Sequence, residues 1–248
     1  MMDIVYPISN QSKDRDDFEL RYSLRSLEKQ SWVRQVILVG YSPNWTQNVV
    51  FIPCPDPYVH CKDANIINKI LRACVWSQLS QKFVVNSDDQ IFLKPITEDQ
   101  MEPMLESPMR EAEYRVKSRT NNWFRRVEDT KHWCKQNGFD DFVLQSHCPY
   151  IVDKTSYPII MCQLPWGRGN GFTTHVYFNI LNHGKTVYKQ EPIHRTIRIK
   201  QALLKKGVET SIKKESLFLN FNNTGLTPGL KTWLQEKFPT PSRWENVS

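Results

Sequence analysis

The sequence predicts a single α/β domain in which a mixed, mainly parallel sheet is flanked by helices. Three observations lead there. Short apolar strand-like runs alternate with amphipathic helical stretches through the first 95 residues. The length of 248 residues suits one sizeable core. Hydrophobic and charged fractions of 40% and 24% are those of an ordinary globular chain.

The elements follow in order. Asp3-Ile4-Val5-Tyr6-Pro7 reads as a buried strand closed by proline, and the polar stretch Ser9 to Asp17 as the loop beyond it, with room for a phosphate-sized ligand. Phe18, Leu20, Leu24 and Leu27 recur at helical spacing, with Asp16 and Asp17 as N-caps for a helix from Phe18 to Lys29. On that helix Arg21 and Arg25 stand four apart on one face, where both can reach an anion or water. Gln35 to Gly40 is the next strand, Tyr41 to Trp45 a turn whose indole either stacks on a base or plugs the core, and Val49 to Ile52 a third strand. A helix capped by Asp63 runs to about Ser77, and Lys82 to Val85 is a fourth strand leading straight into Asn86-Ser87-Asp88-Asp89. Beyond it, Glu98 to Lys135 reads as charged and helical, Asp140 to Val152 as strand-like, Pro165 to Gly171 as a glycine-rich loop, Thr174 to Leu181 as an apolar helix, and Lys185 to Gln190 as hairpin-like.

Composition narrows the function classes. The longest apolar runs, such as Val36 to Val39, are strand-sized, well short of the roughly 18 residues of a membrane span. The opening residues lack the basic and apolar segments of a secretory signal, so a cytoplasmic protein is expected. Six cysteines without a CxxC pair are expected to be thiols. Lys and Arg total 33 against 26 Asp and Glu, a net charge of +7 that favours anionic partners: nucleotide sugars, acidic glycans or nucleic acid.

The acidic turn carries the chemistry. Ligands of open α/β sheets gather at the carboxyl ends of strands, where Asn86 to Asp89 falls. Asp88 and Asp89 supply hard oxygen ligands of the kind Mg²⁺ and Mn²⁺ prefer, and a metal there offsets the charge of a departing diphosphate. A solvated turn is the plainer reading of the same two acids.

Asp3-Ile4-Val5-Tyr6, the run Glu19 to Lys29, Val33 to Val39, Pro43-Asn44-Trp45, the helix start Asp63-Ala64-Asn65-Ile66 and Phe83 to Leu93 together resemble the opening half of the Stealth family of sugar-phosphate transferases. More broadly, the order is similar to glycosyltransferases of the A-type (GT-A) fold. The resemblance covers about residues 3–95. It implies a nucleotide-sugar donor, Mn²⁺ or Mg²⁺ on Asp88 and Asp89, and donor contacts from Arg21, Arg25, Ser9, Asn65 and Asn86. It also implies a donor-binding half, residues 1–95, followed by an acceptor-side half, residues 96–248, with a helical insertion. Pro7 to Ser12 replaces the family's acidic segment and Ser87 an asparagine, departures that favour ordinary glycosyl transfer over sugar-phosphate transfer.

An acceptor hydroxyl needs a general base, for which His147 and Asp153 are the candidates; Asp89, the third expected catalytic residue, binds metal and positions the donor on the resemblance. His175 reads as a core residue, and His194 with Arg195 and Arg198 as a solvated cluster or a phosphate contact. The charge, with Arg119, Arg125, Arg126, Arg195 and Arg198, makes hydroxymethylated bacteriophage DNA one expected acceptor, and Ser118 to Arg126 the segment to meet it. A capsular or surface glycan is the alternative, and a non-catalytic nucleic-acid-binding module the reading from another class.

Overall fold

A computed structural model of the chain describes residues 1–9, 17–59, 61–106, 122–164, 166, 173–185 and 188–246. Its central sheet has five strands in the order β3-β2-β1-β4-β6: β1 Met2–Pro7, β2 Val33–Gly40, β3 Val49–Pro53, β4 Lys82–Val85 and β6 Tyr150–Asp153. The first four are mutually parallel and β6 runs antiparallel to β4. A second sheet of three strands, β5 Gln90–Phe92, β8 Phe218–Phe221 and β7 Thr196–Ile199, has β8 in the middle, antiparallel to β5 and parallel to β7. The helices are α1 Phe18–Ser26, α2 Lys62–Val75, α3 Asn122–Gln136, α4 Ser156–Met161, α5 Thr173–Leu181, α6 Lys205–Ser211 and α7 Pro228–Lys237.

The period-two alternation of strand side chains splits the core into two layers. From β1, Ile4 and Tyr6 pack with Val36, Leu38 and Val84 against Leu20, Leu24 and Leu27 of α1 and its 3₁₀ extension. On the opposite face Val5, Ile37, Val39, Phe83 and Val85 pack against Ile67, Ile70, Ala73 and Cys74 of α2, with Tyr157 of α4 and Tyr177 of α5 closing the layer. A third cluster joins the second sheet to α6 and α7 through Ile91, Ile197, Leu219, Val208, Leu230 and Leu234. Asp3, an acid inside a buried strand, is satisfied by Arg34 at 2.5 and 2.7 Å and by the Ser80 N–H at 2.8 Å, which pins the amino-terminal edge of the sheet.

Several expectations shift. Asp17 does not cap α1 with its carboxylate; it takes a left-handed backbone (φ 46°), and its carboxylate accepts the Tyr41 hydroxyl at 3.5 Å. Asp16 lies outside the described residues. Helix α2 begins at Lys62 with Cys61 in the cap position, so Asp63 sits inside the first turn and pairs with Arg126 of α3 at 2.5 Å. From the expected hairpin, only an isolated bridge from Gln190 to Leu105 is found among the described residues. No described helix is long and apolar enough to cross a membrane. All six cysteines are thiols, five buried and Cys162 exposed.

Candidate active site

Strand β4 is an apolar run because it is covered on both faces, and it ends where Asn86 turns polar. The turn that follows is tied down on every side. Asn86 continues the ladder through its N–H to the Val5 carbonyl at 3.0 Å, and its Nδ2 donates to the Tyr6 hydroxyl at 3.0 Å and to Ser23 Oγ at 3.2 Å. Ser23 Oγ in turn donates to the Gln90 carbonyl at 2.6 Å. Gln90 closes the turn by accepting the Ser87 N–H on its Oε1 and donating its own N–H to the Ser87 carbonyl, both at 3.2 Å. Asn86 is therefore a buried floor under the turn, with its Oδ1 left without a donor among the described residues.

On that floor Asp88 and Asp89 stand half-buried, side by side. Burial raises the Asp88 carboxyl, offset by Lys62 and by the backbone N–H groups of Asp88 and Asp89. Asp89 is pushed up to about 7 by burial and by the charge of Asp88, against the pull of Lys62 and a hydrogen bond from Asn220. Lys62, exposed at the start of α2, is the cation the sequence reading missed; its place one residue before an expected N-cap carried no signal of its own. Asn220 was missed as well, because it comes from β8, a strand of only four residues.

The register of β4 and β6 sorts the base candidates. Tyr150 pairs with Val85, so His147, just before β6, lies toward the edge of the acidic turn. Its N–H donates to Gln145 Oε1 at 2.8 Å and its ring lies 6.0 Å from that of Trp123. Asp153 pairs with Lys82 at the opposite end of the same strands, about 10 Å away along the chain. There it accepts the N–H groups of Thr155 and Ser156 at 3.0 and 2.7 Å and Gln81 Nε2 at 2.8 Å. These bonds outweigh its burial and hold it below the usual carboxylate range. The structure thus makes Asp153 the anchor of the turn between β6 and α4 and does not bring it to the acidic turn.

The expected donor contacts divide in the same way. Ser9, at the carboxyl end of β1, donates to Asp56 at 3.2 Å, and Asp56 also pairs with the buried ammonium of Lys69. Lys69 passes Gly40, where φ is 109° and a Cβ would collide with both the Ile8 carbonyl and Lys69 Cε. Asn65 spends its amide on the backbone of Tyr58, at 3.1 and 3.0 Å, and Tyr58 meets Trp166 edge to face. Arg21 and Arg25 both bond Glu245, at 2.8 Å each, and Arg21 stacks on Trp45 at 4.1 Å. Trp45 is accordingly part of the core wall, and the two guanidiniums face the carboxyl-terminal segment.

The basic cluster is internal too. Arg198 bonds Glu106 at 2.8 Å and the Gln145 side chain, Gln145 bonds Glu191 at 2.5 Å, and Arg195 lies 3.8 Å from Glu191. His194 is exposed, as is Arg125. Arg119, the rest of Ser118 to Asn121, and the glycine-rich loop Gly167 to Gly171 lie outside the described residues.

Two half-buried carboxylates that repel one another fit a divalent cation of the Mg²⁺ or Mn²⁺ kind, which binds oxygen ligands and relieves their repulsion. No group of three or more His, Cys, Asp or Glu assembles among the described residues, so the protein would furnish this pair and the remaining ligands would be water and substrate oxygens.

No protein-family model and no curated protein matches the chain. Among solved structures, it is similar to an active-site mutant of LgtC, a GT-A-type glycosyltransferase: the TM-score is 0.51 at 10% identity, over 98% of this chain and 98% of that one. A partial match, TM-score 0.30 at 16% identity, joins 43% of this chain to 58% of HddC from Yersinia pseudotuberculosis. The chain has the GT-A-like fold, a mainly parallel sheet flanked by helices.

Proposed function

We propose that the protein is a glycosyltransferase that moves a sugar from a nucleotide-sugar donor to a hydroxyl acceptor with the help of a divalent metal. The observation that carries this reading is the pinned Asp88–Asp89 pair at the carboxyl end of a central parallel strand, on a fold shared with a glycosyltransferase over nearly the whole chain.

Asp88 and Asp89 would hold the metal, which when bound offsets the negative charge that develops on the diphosphate leaving group. Lys62 adds a positive charge at the same edge and lowers the cost of bringing a diphosphate next to two carboxylates. The hydrogen bonds of Asn86, Ser23 and Gln90 fix the turn before substrate arrives, so little reorganisation remains for the reaction step. Ser9 and Asp56 form a polar pair beyond the ends of the neighbouring strands, held from below by the buried Lys69 of α2, and Ser9 is the natural contact for the rest of the donor. His147 is the candidate base for the acceptor hydroxyl, since it comes from the same edge.

The acceptor is proposed as a glycan hydroxyl rather than DNA. Arg126, Arg195 and Arg198, which the DNA reading needs for phosphate contact, are engaged by Asp63, Glu191 and Glu106.

Asp88→Asn and Asp89→Asn should each lower metal-dependent sugar transfer by at least about tenfold while leaving the fold intact, measured with a panel of labelled nucleotide sugars. Near-wild-type rates in both would move the site elsewhere. Oligosaccharides and hydroxymethylated DNA as parallel acceptors, with phosphorus analysis of the product, distinguish the acceptor classes and separate sugar from sugar-phosphate transfer.

A further inference from the structure

The acidic turn is anchored to the central sheet at one end only: Asn86 holds the Val5 end, and the Ser87–Gln90 bonds lie within the turn itself. The other end is held from the second sheet. Asn220 of β8, 5% exposed, donates its Nδ2 to the Asp89 carbonyl at 3.2 Å, and the next residue, Phe221, gives its N–H to the same oxygen at 3.3 Å. Asn220 pairs in register with Gln90 on β5 and with Arg198 on β7, so these three side chains line one face of that sheet beside the turn.

From this geometry, and resting on the proposed metal-dependent reading, we infer that Asn220 is a positioning residue: reaching across 131 residues of sequence, it fixes the orientation of Asp89 for metal binding. The neutral amide suits the task. It holds the Asp89 backbone through its carbonyl without adding a charge that would compete with the metal or intensify the repulsion between Asp88 and Asp89. A partner that orients a metal ligand in this way typically contributes 10–100-fold in metal affinity.

The test uses the full chain and Mn²⁺ alone, with free ion counted by electron paramagnetic resonance at fixed pH. Asn220→Leu keeps the branched shape and removes the donor; it should weaken Mn²⁺ binding about tenfold, with melting temperature little changed. Asn220→Gln, which retains the amide, should recover part of the loss. A Kd for Asn220→Leu within twofold of wild type, while Asp88→Asn abolishes binding, overturns the inference and leaves the proposed site standing. So does a lowered melting temperature with unchanged affinity, which is the signature of a purely structural asparagine. If Asn220→Leu does not fold, Asn220→Ala is judged by the same criterion. A wild-type protein that binds no Mn²⁺, or an Asp88→Asn variant that binds it as well as wild type, overturns the metal reading and the inference with it.

Discussion

His175, on α5, is enclosed by the core, and burial together with the charges of Lys131 and Arg198 pushes its imidazole down to about 3. The folded state keeps it neutral, whereas the unfolded chain takes up a proton near the ordinary value of about 6.5. Its contribution to stability is therefore constant above that value and is lost as pH falls from about 6.5 towards 3, at up to about 1.4 kcal/mol per pH unit. Denaturant unfolding of the wild type at pH 7.5 and 5.0 should show a drop about 2 kcal/mol larger than that of His175→Phe. Equal drops would mean the imidazole is protonated in the fold. The acid loss from Glu245 falls in a separate window: burial would raise its carboxyl, but bonds from Arg25, the Ser242 N–H and Arg21 hold it low, so its share disappears only below the ordinary carboxylate range. His175 was legible in the sequence as a core residue from its place in an apolar helix. Asp153 was not legible as a turn anchor, because only the strand register reveals which end of the sheet it occupies.

The carboxyl-terminal segment after α7 is irregular, yet it holds the outer side of α1. Glu245, 1% exposed, accepts Arg21 and both Nε and Nη2 of Arg25, while Trp244 is buried in the α1 layer. The Trp244 carbonyl accepts the Gln47 N–H at 2.9 Å, the Asn246 N–H donates to the Trp45 carbonyl at 2.6 Å, and the Glu28 carboxylate accepts the Arg243 N–H at 2.6 Å. Glu245→Ala would strip two guanidiniums of their shared partner; removing one member of a buried pair costs about 3–5 kcal/mol, here near the lower end because Arg21 remains 28% exposed. A fall in unfolding free energy below about 1 kcal/mol would indicate that water replaces the carboxylate without loss. At this scale the sequence was most informative where elements were long and strongly patterned: β1, α1, β2, β3, α2 and β4 all lie within a few residues of the expected spans. It was silent on β5, β7 and β8, because runs of three or four residues carry too little periodicity to stand out from loops. The Arg21 and Arg25 pair was correctly seen as one face, but the helical spacing could not identify Glu245, 220 residues from Arg25, as what the face meets.

The two halves expected from the sequence are interleaved in the folded molecule. Residues 1–95 supply four parallel strands, but the layer between these strands and α1 is completed by Met101, Cys148, Leu217, Phe218 and Trp244, all from the second half. Among the described residues strand β5 pairs only with β8, and β4 is covered on its free side by β6. The acidic turn mirrors this arrangement, with Asn86 bonded to the first half and Asp89 to Asn220 of the second. Removing five buried side chains from one layer forfeits roughly 8–15 kcal/mol of apolar burial at about 1.5–3 kcal/mol each, as much as the whole net stability of an ordinary domain. The shared packing leads us to expect that the halves fold as one unit, with no separable donor module. Residues 1–95 expressed alone should show no cooperative thermal transition by circular dichroism, and co-expression with residues 96–248 should restore a single transition and, with it, Mn²⁺ binding. A cooperative transition with dispersed amide resonances from the short fragment alone would show that its own strands and α1 suffice, and that the second half docks onto a finished fold.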